Sequence, residues 1–209
     1  NDPMTVMRFV SALATLLVAA EAHAQLVRPV QARVEPSRGE TVCSDYLPML
    51  GPPPSTDLFG SSVAIDGARV IVGAHADGEL GLNAGAAYVF AATTGVQLFK
   101  LTADDGSPGN QLGRSVAISG NTAIVGAPED DPSGSRSGSA YLFDLTTGQQ
   151  IAKLIPSTGE PFDLFGSVVA IDGDTAIVGA FAHDGSEINS GAAYLFDAVT
   201  GVEIAALPD

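Results

Sequence analysis

The chain has 209 residues and a formal charge of −15, from 24 acidic against 9 basic side chains. That balance excludes the clustered Lys and Arg with which proteins hold nucleic acid or an anionic membrane surface. One Cys excludes an intrachain disulfide, while 24 Gly, 13 Pro, no Trp and a 45% apolar share describe a packed chain of short elements and tight turns.

Residues 1–24 predict a secretory signal peptide. Met4 and Met7 are candidate starts, with Asn1-Asp2-Pro3 as read-through upstream. Arg8 supplies the positive flank, Phe9 to Ala20 an apolar run of 12 residues, and Ala22 and Ala24 the small residues of a cleavage site. As a helix the run spans ~18 Å, short of a ~30 Å hydrocarbon core. Cleavage after Ala24 leaves 185 residues and no later membrane span, so the expected location is secreted, periplasmic or cell-surface. Residues 25–56 read as a Pro-rich linker, with prolines at 29, 36, 48, 52, 53 and 54. Cys43 lies in this linker, and Tyr46 to Leu50 could add one strand to the region C-terminal to it.

The remainder is an internal repeat. Gly60, Gly113 and Gly166 are 53 residues apart, as are Gly73, Gly126 and Gly179, and Tyr88, Tyr141 and Tyr194. Three units result: 57–109, 110–162 and 163–209. Over 47 gapless columns, 16 carry one residue type in all three units, which chance does not produce.

Each unit predicts four short strands. In the third, Ser167 to Ile171 leads to an Asp172-Gly173 turn; Thr175 to Ala180 is a continuous apolar run suited to a strand buried on both faces. Gly191 to Phe196 and Val202 to Leu207 complete the set. A lone sheet with two apolar faces cannot bury them, but like sheets stacked face to face can. The fold class is therefore all-β, a β-propeller-type array of three four-stranded antiparallel blades. Gly73-Ala74, Gly126-Ala127 and Gly179-Ala180 would let blades approach closely, with Phe90, Phe143 and Phe196 as the large knobs. Val63, Ile65, Ile71, Val72, Tyr88 and Phe90, and their equivalents 53 and 106 residues on, are expected to be mostly buried. Three blades fall below the four to eight of a closed ring. The expectation is an open arc with two exposed blade faces, closed by further repeats of a longer protein or by self-association.

Leu58-Phe59-Gly60, Gln111-Leu112-Gly113 and Leu164-Phe165-Gly166, together with the literal Gly126-Ala127-Pro128, resemble the FG-GAP repeat. The likeness covers 57–209 and is to the short-turn type of exported bacterial proteins, more distantly to integrin α-subunit propellers. It implies a β-propeller, an extracellular or surface location, and adhesion or ligand binding. Integrin-type repeats often carry a calcium loop in the first hairpin. The hairpins here, at Asp66-Gly67, Ser119-Gly120 and Asp172-Gly173, are too short to wrap an ion that needs 6–8 oxygens.

Catalytic patterns are lacking in the sequence. His75 and His183 sit in no zinc-binding spacing, and no Gly-x-Ser-x-Gly elbow or Gly-Lys-Ser loop occurs. The chain reads as non-enzymatic. The loops at 75–84, 128–137 and 181–190 are acidic and differ between units while the strands do not, which fits a scaffold presenting a variable surface to an extracellular protein or glycan. Alternative readings are a structural spacer of the envelope and the non-catalytic propeller of a larger secreted enzyme. Acids recur in these loops at Asp77, Asp130, Asp131 and Asp184, and they are the candidate ligands for a hard cation such as Ca²⁺, the one cofactor the sequence suggests.

Overall fold

In the computed structural model, residues 57–208 are described. The readings placed on the signal peptide, the linker, Cys43 and the strand at 46–50 lie outside the described residues. All regular structure among the described residues is β, and no helix there is long and apolar enough to cross a membrane.

Blade one is built from β1 (Ser62–Asp66), β2 (Arg69–Ala74), β3 (Ala86–Ala91) and β4 (Gln97–Leu101). Blade two comprises β5 (Ser115–Ser119), β6 (Thr122–Ala127), β7 (Ser139–Asp144) and β8 (Gln149–Leu154). Blade three comprises β9 (Val168–Asp172), β10 (Thr175–Ala180), β11 (Ala192–Asp197) and β12 (Glu203–Pro208). In each, the strands pair antiparallel in sequence order, as consecutive hairpins. The register also repeats: every third strand slips against the fourth at one column, between Val89 and Phe90, Leu142 and Phe143, and Leu195 and Phe196. The 53-residue period thus carries its bulge with it, as expected when identical local sequence sets local twist.

The first turn lies one residue later than the sequence reading placed it. Asp66 pairs with Arg69, so Asp66 ends the strand and the turn is Gly67-Ala68. Gly67, Gly120 and Gly173 have φ of 52°, 55° and 54° at the first central position, where a hairpin turn of the II′ kind calls for Gly.

Two cores lie between blades rather than within them. In the first, Ile71, Val89 and Leu101 of blade one meet Leu112, Val116 and Tyr141 of blade two. In the second, Ile124, Leu142 and Leu154 of blade two meet Phe165, Val169 and Tyr194 of blade three. The members are the same columns moved by 53. Backbone bonds lace each boundary: Leu112 N–H donates to Ala84 O, and Phe165 N–H to Ser137 O, both at 3.0 Å. The Ser62 hydroxyl donates to Gly113 O and the Ser115 hydroxyl to Gly166 O, both at 2.8 Å. At the turns, Gly120 N–H donates to Asp66 Oδ2 at 2.6 Å, and Gly173 N–H to Ser119 Oγ at 3.1 Å.

The expected burial holds in the middle of the array and fails at its two ends. Val116 and Ile118 are buried, but Val63 and Ile65, their equivalents in blade one, are 66% and 69% exposed. Ile71 and Ile124 are fully buried, while Ile177 is 37% exposed. Phe90 and Ile171 are half-buried. For Val63, Ile65, Phe90 and Ile177 the correction has one physical cause: their columns are buried by a neighbouring blade, and the outer faces of blades one and three have none; Ile171 packs against the core between blades two and three and is only partly covered there. The array is an open arc of three blades.

Candidate functional site

The loops joining second to third strands are closed at the neck by one repeated bond. Gly85 N–H donates to Asp77 O, Gly138 to Asp130 O and Gly191 to His183 O, at 2.9, 2.8 and 2.9 Å. Beyond the neck each chain passes through a residue at positive φ, Asn83, Arg136 or Asn189. The tips are exposed and chemically different: Leu82 in blade one, Ser135 and Arg136 in blade two, Ile188 in blade three.

Under the first two loops lies a buried polar anchor. Asp77 accepts from the Tyr88 hydroxyl at 2.7 Å and pairs with Lys100 Nζ at 2.8 Å, and Lys100 reaches Glu79 as well. Burial alone would raise the Asp77 carboxyl, but bonds from Lys100, Tyr88 and the Glu79 amide outweigh it and hold it below the ordinary carboxylate range. Burial and the Asp77 carboxylate push the Tyr88 hydroxyl up to about 12. In blade two, Asp130 accepts from Asn110 Nδ2 at 2.9 Å, Ser139 Oγ at 2.6 Å and Tyr141 OH at 3.1 Å, and pairs with Lys153 Nζ at 2.7 Å. Tyr141 also lies 2.9 Å from Asp105 Oδ1, and Lys153 pairs with Asp105 at 2.6 Å. The Asp105 carboxyl is lowered: burial opposes this, and the bonds from Lys153 and Tyr141 prevail.

Blade three solves the same problem with different residues. His183 stands where Asp77 and Asp130 stand, and Ala206 where the lysines stand. His183 Nδ1 instead meets Asp163 Oδ2 at 2.9 Å, and the Tyr194 hydroxyl bonds Thr158 Oγ1 at 2.9 Å. The Asp163 column reads Asn110 in blade two and Asp57 in blade one. Charge therefore alternates across this pair of columns: Asn110 with Asp130, Asp163 with His183. In blade one both are acids, and the Asp57 carboxyl is raised by burial and then by the Asp77 charge.

The four carboxylates singled out for a hard cation are not gathered into one place. Asp77 and Asp130 each face a lysine. Asp131 Oδ1 accepts from Arg136 N–H at 2.6 Å and Asp184 Oδ1 from Asn189 N–H at 2.7 Å, the same loop-closing bond in successive blades. Among the described residues no three His, Cys, Asp or Glu side chains form a ligand set for a metal. Sequence reasoning missed Lys100, Lys153 and the Asp163–His183 pair. The signal was present, since Lys100 and Lys153 are 53 apart and project from the fourth strand beneath the loops.

One shallow polar hollow lies on this rim, lined by Asn110, Gln111, Glu129, Asp131, Ser135 and Arg136. Arg136 Nε pairs with Glu129 at 2.6 Å along it. It offers both charges and an amide to a polar ligand.

A family model described as the FG-GAP repeat matches residues 54–90, 96–143 and 149–196. The chain belongs to the FG-GAP repeat family. Matches two and three begin at the fourth strand of one blade and end on the third strand of the next, at Phe143 and Phe196, so the FG-GAP sequence unit is staggered against the blade. The stagger includes the blade boundary, which is where the Phe-Gly and Gly-Ala segments meet. No curated protein matches the chain. A solved structure, that of the computationally designed Ika4 protein, is similar at 20% identity and a TM-score of 0.44 over 69% of each chain; at that level the likeness carries no argument.

Proposed function

We propose that this FG-GAP chain is a non-enzymatic binding or adhesion module, exported to the cell surface or beyond, whose rim loops contact an extracellular protein or glycan. The observation that carries the reading is the division of labour in the three loops. Their necks and anchors are tied to the scaffold by buried bonds, while the tips differ in every blade and stand in solvent. Side chains fixed at the base and free to vary at the tip are what a binding loop on a rigid scaffold requires. The hollow beside Arg136 and Glu129 adds polar groups of both signs for a hydroxyl-rich or peptide ligand. The strong negative charge disfavours anionic partners such as nucleic acid.

The test is a glycan and matrix-protein array probed with the exported chain and with a Leu82→Ser, Arg136→Ala, Ile188→Ser variant. All three side chains are exposed, so the variant keeps its fold. Binding by the wild type that the variant loses supports the reading. Equal binding by both, or none by either, overturns it.

A further inference from the structure

We infer that Phe162 is a stacking platform for a neutral sugar ring, a role that rests on the binding function proposed above, with Arg136 and Glu129 of the adjoining loop to take the sugar's hydroxyls.

Phe162 has a φ of 72°, in the left-handed region where a Cβ crowds the backbone. One repeat earlier the same column holds Gly109, at a φ of 92°. The other non-glycine residues at positive φ fall in two columns that recur in every blade: Leu58, Gln111 and Leu164, then Asn83, Arg136 and Asn189. Those two columns belong to the repeat. Among the described residues, Phe162 alone puts a bulky side chain at positive φ where the preceding unit has glycine.

The strained conformation is held from several sides. Phe162 N–H donates to Ser135 O at 2.8 Å. Glu160 N–H donates to Asp163 Oδ2 at 2.8 Å and closes the turn around it. Pro161 lies so close to Gly134 that a Cβ there would meet its Cγ at 2.7 Å. Such conformations persist where the surroundings over-determine them, and they cluster at ligand sites. The ring, however, gains little from the chain. It is 60% exposed and stacks on no other ring among the described residues. This is not the exposure of an end face, because Phe162 lies at the boundary between blades two and three and both are present. An aromatic ring fixed in place and left in solvent is preorganised for a partner outside the chain.

The surroundings select the partner. A sugar ring offers polarised C–H groups on its face, which suit the negative face of an aromatic ring, and hydroxyls at its edge. The backbone ladder places hydroxyl partners next to Phe162. Ser135 O receives Phe162 N–H, and Arg136 O receives Leu164 N–H at 3.1 Å. Ser135 and Arg136 also line the polar hollow, where Arg136 Nε meets Glu129 at 2.6 Å and the pair presents both donors and an acceptor. One ring among polar groups is not the apolar pocket that a peptide side chain fills. A charge of −15 repels acidic sugars, so the sugar is neutral.

The test is an array of neutral cello-, manno-, galacto- and chito-oligosaccharides, with gelatin and a casein hydrolysate as peptide probes. It compares the whole exported chain with two variants. Phe162→Asn removes the ring but accepts the left-handed φ. It is expected to melt no lower than the wild type and to lose at least about tenfold in sugar affinity. Phe162→Trp keeps a ring and gives the chain its only Trp. It is expected to keep the affinity, with an indole emission that shifts when the bound oligosaccharide is added. Equal sugar binding by the wild type and Phe162→Asn overturns the platform and leaves the binding function standing, as does capture by the peptide probes alone. A Phe162→Asn variant that melts below the wild type also overturns it, since the ring would then be packing for the fold. A wild type that binds no probe overturns both.

Discussion

Gly126 and Gly166 meet so closely across the boundary between blades two and three that a methyl on the first would lie 1.9 Å from the carbonyl oxygen of the second. Backbone must therefore move if a side chain is added, and a carbonyl held by the Ser115 hydroxyl cannot move without losing that bond. Gly126→Ala is expected to destabilise the chain by about 1–3 kcal/mol, the usual cost of overpacking. Urea unfolding followed by circular dichroism measures it. An unchanged midpoint would mean the blades do not approach as described.

Tyr141 gives a second test. Its hydroxyl is fully buried between Asp105 and Asp130, whereas the Tyr194 hydroxyl bonds a Thr158 that is exposed. Removing a buried bond to charged partners costs about 1.5–3 kcal/mol, and one at the surface less. Tyr141→Phe should accordingly lower stability several-fold more than Tyr194→Phe in paired denaturant titrations. Equal losses would contradict the anchor.

The period and the blade were legible because 53-residue identity and an apolar strand buried on both faces leave few other folds. What the sequence did not carry was context. Val63 and Val116 are the same residue in the same column, yet one is exposed and one buried, because only the second has a blade in front of it. The anchors escaped for a related reason. Lys100 sits on an edge strand that reads as solvated, and only the folded blade shows its ammonium turning under the loop to Asp77. The acids of the loops attracted a metal reading by their number, while their partners were Lys, Tyr and backbone amides from elsewhere in the blade.

Asp77 also fixes a pH dependence. Its folded carboxyl lies below the unfolded value near 3.8, so the folded chain holds fewer protons there and the contribution is present above that value. It is lost as pH falls through the folded value. Lys100 is raised above 10.5, so its contribution is complete below that value and fades as pH rises through the folded one. Wild-type stability is expected to drop below about pH 4, with Asp105 contributing to the same limb. Asp77→Asn should cost about 1–3 kcal/mol at pH 7 and flatten that acid limb. A variant with the wild-type acid profile would show that Asp77 has no charged partner in solution.

Calcium supplies a further prediction. Since both oxygens of Asp77 and of Asp130 accept from lysine, hydroxyl and amide donors, and Oδ1 of Asp131 and of Asp184 accepts from a loop amide, millimolar Ca²⁺ should leave the melting temperature within about 1 °C of the value with a chelator. A ligand at 100 times its dissociation constant stabilises by about 2.7 kcal/mol, which a thermal scan resolves easily. A rise of several degrees would mean that the loops rearrange to release their carboxylates.

One boundary, used repeatedly, holds the blades together, and residue-resolved hydrogen exchange reads that boundary directly. Leu112 and Phe165 donate their amides across it, at residues 1% and 0% exposed. Their exchange is expected to be as slow as that of Ile124 and Leu142 in the centre of blade two, because opening either amide requires blades to part. Exchange at the rate of the loop amides near Gly134, with the strand amides still protected, would contradict the stacked arc.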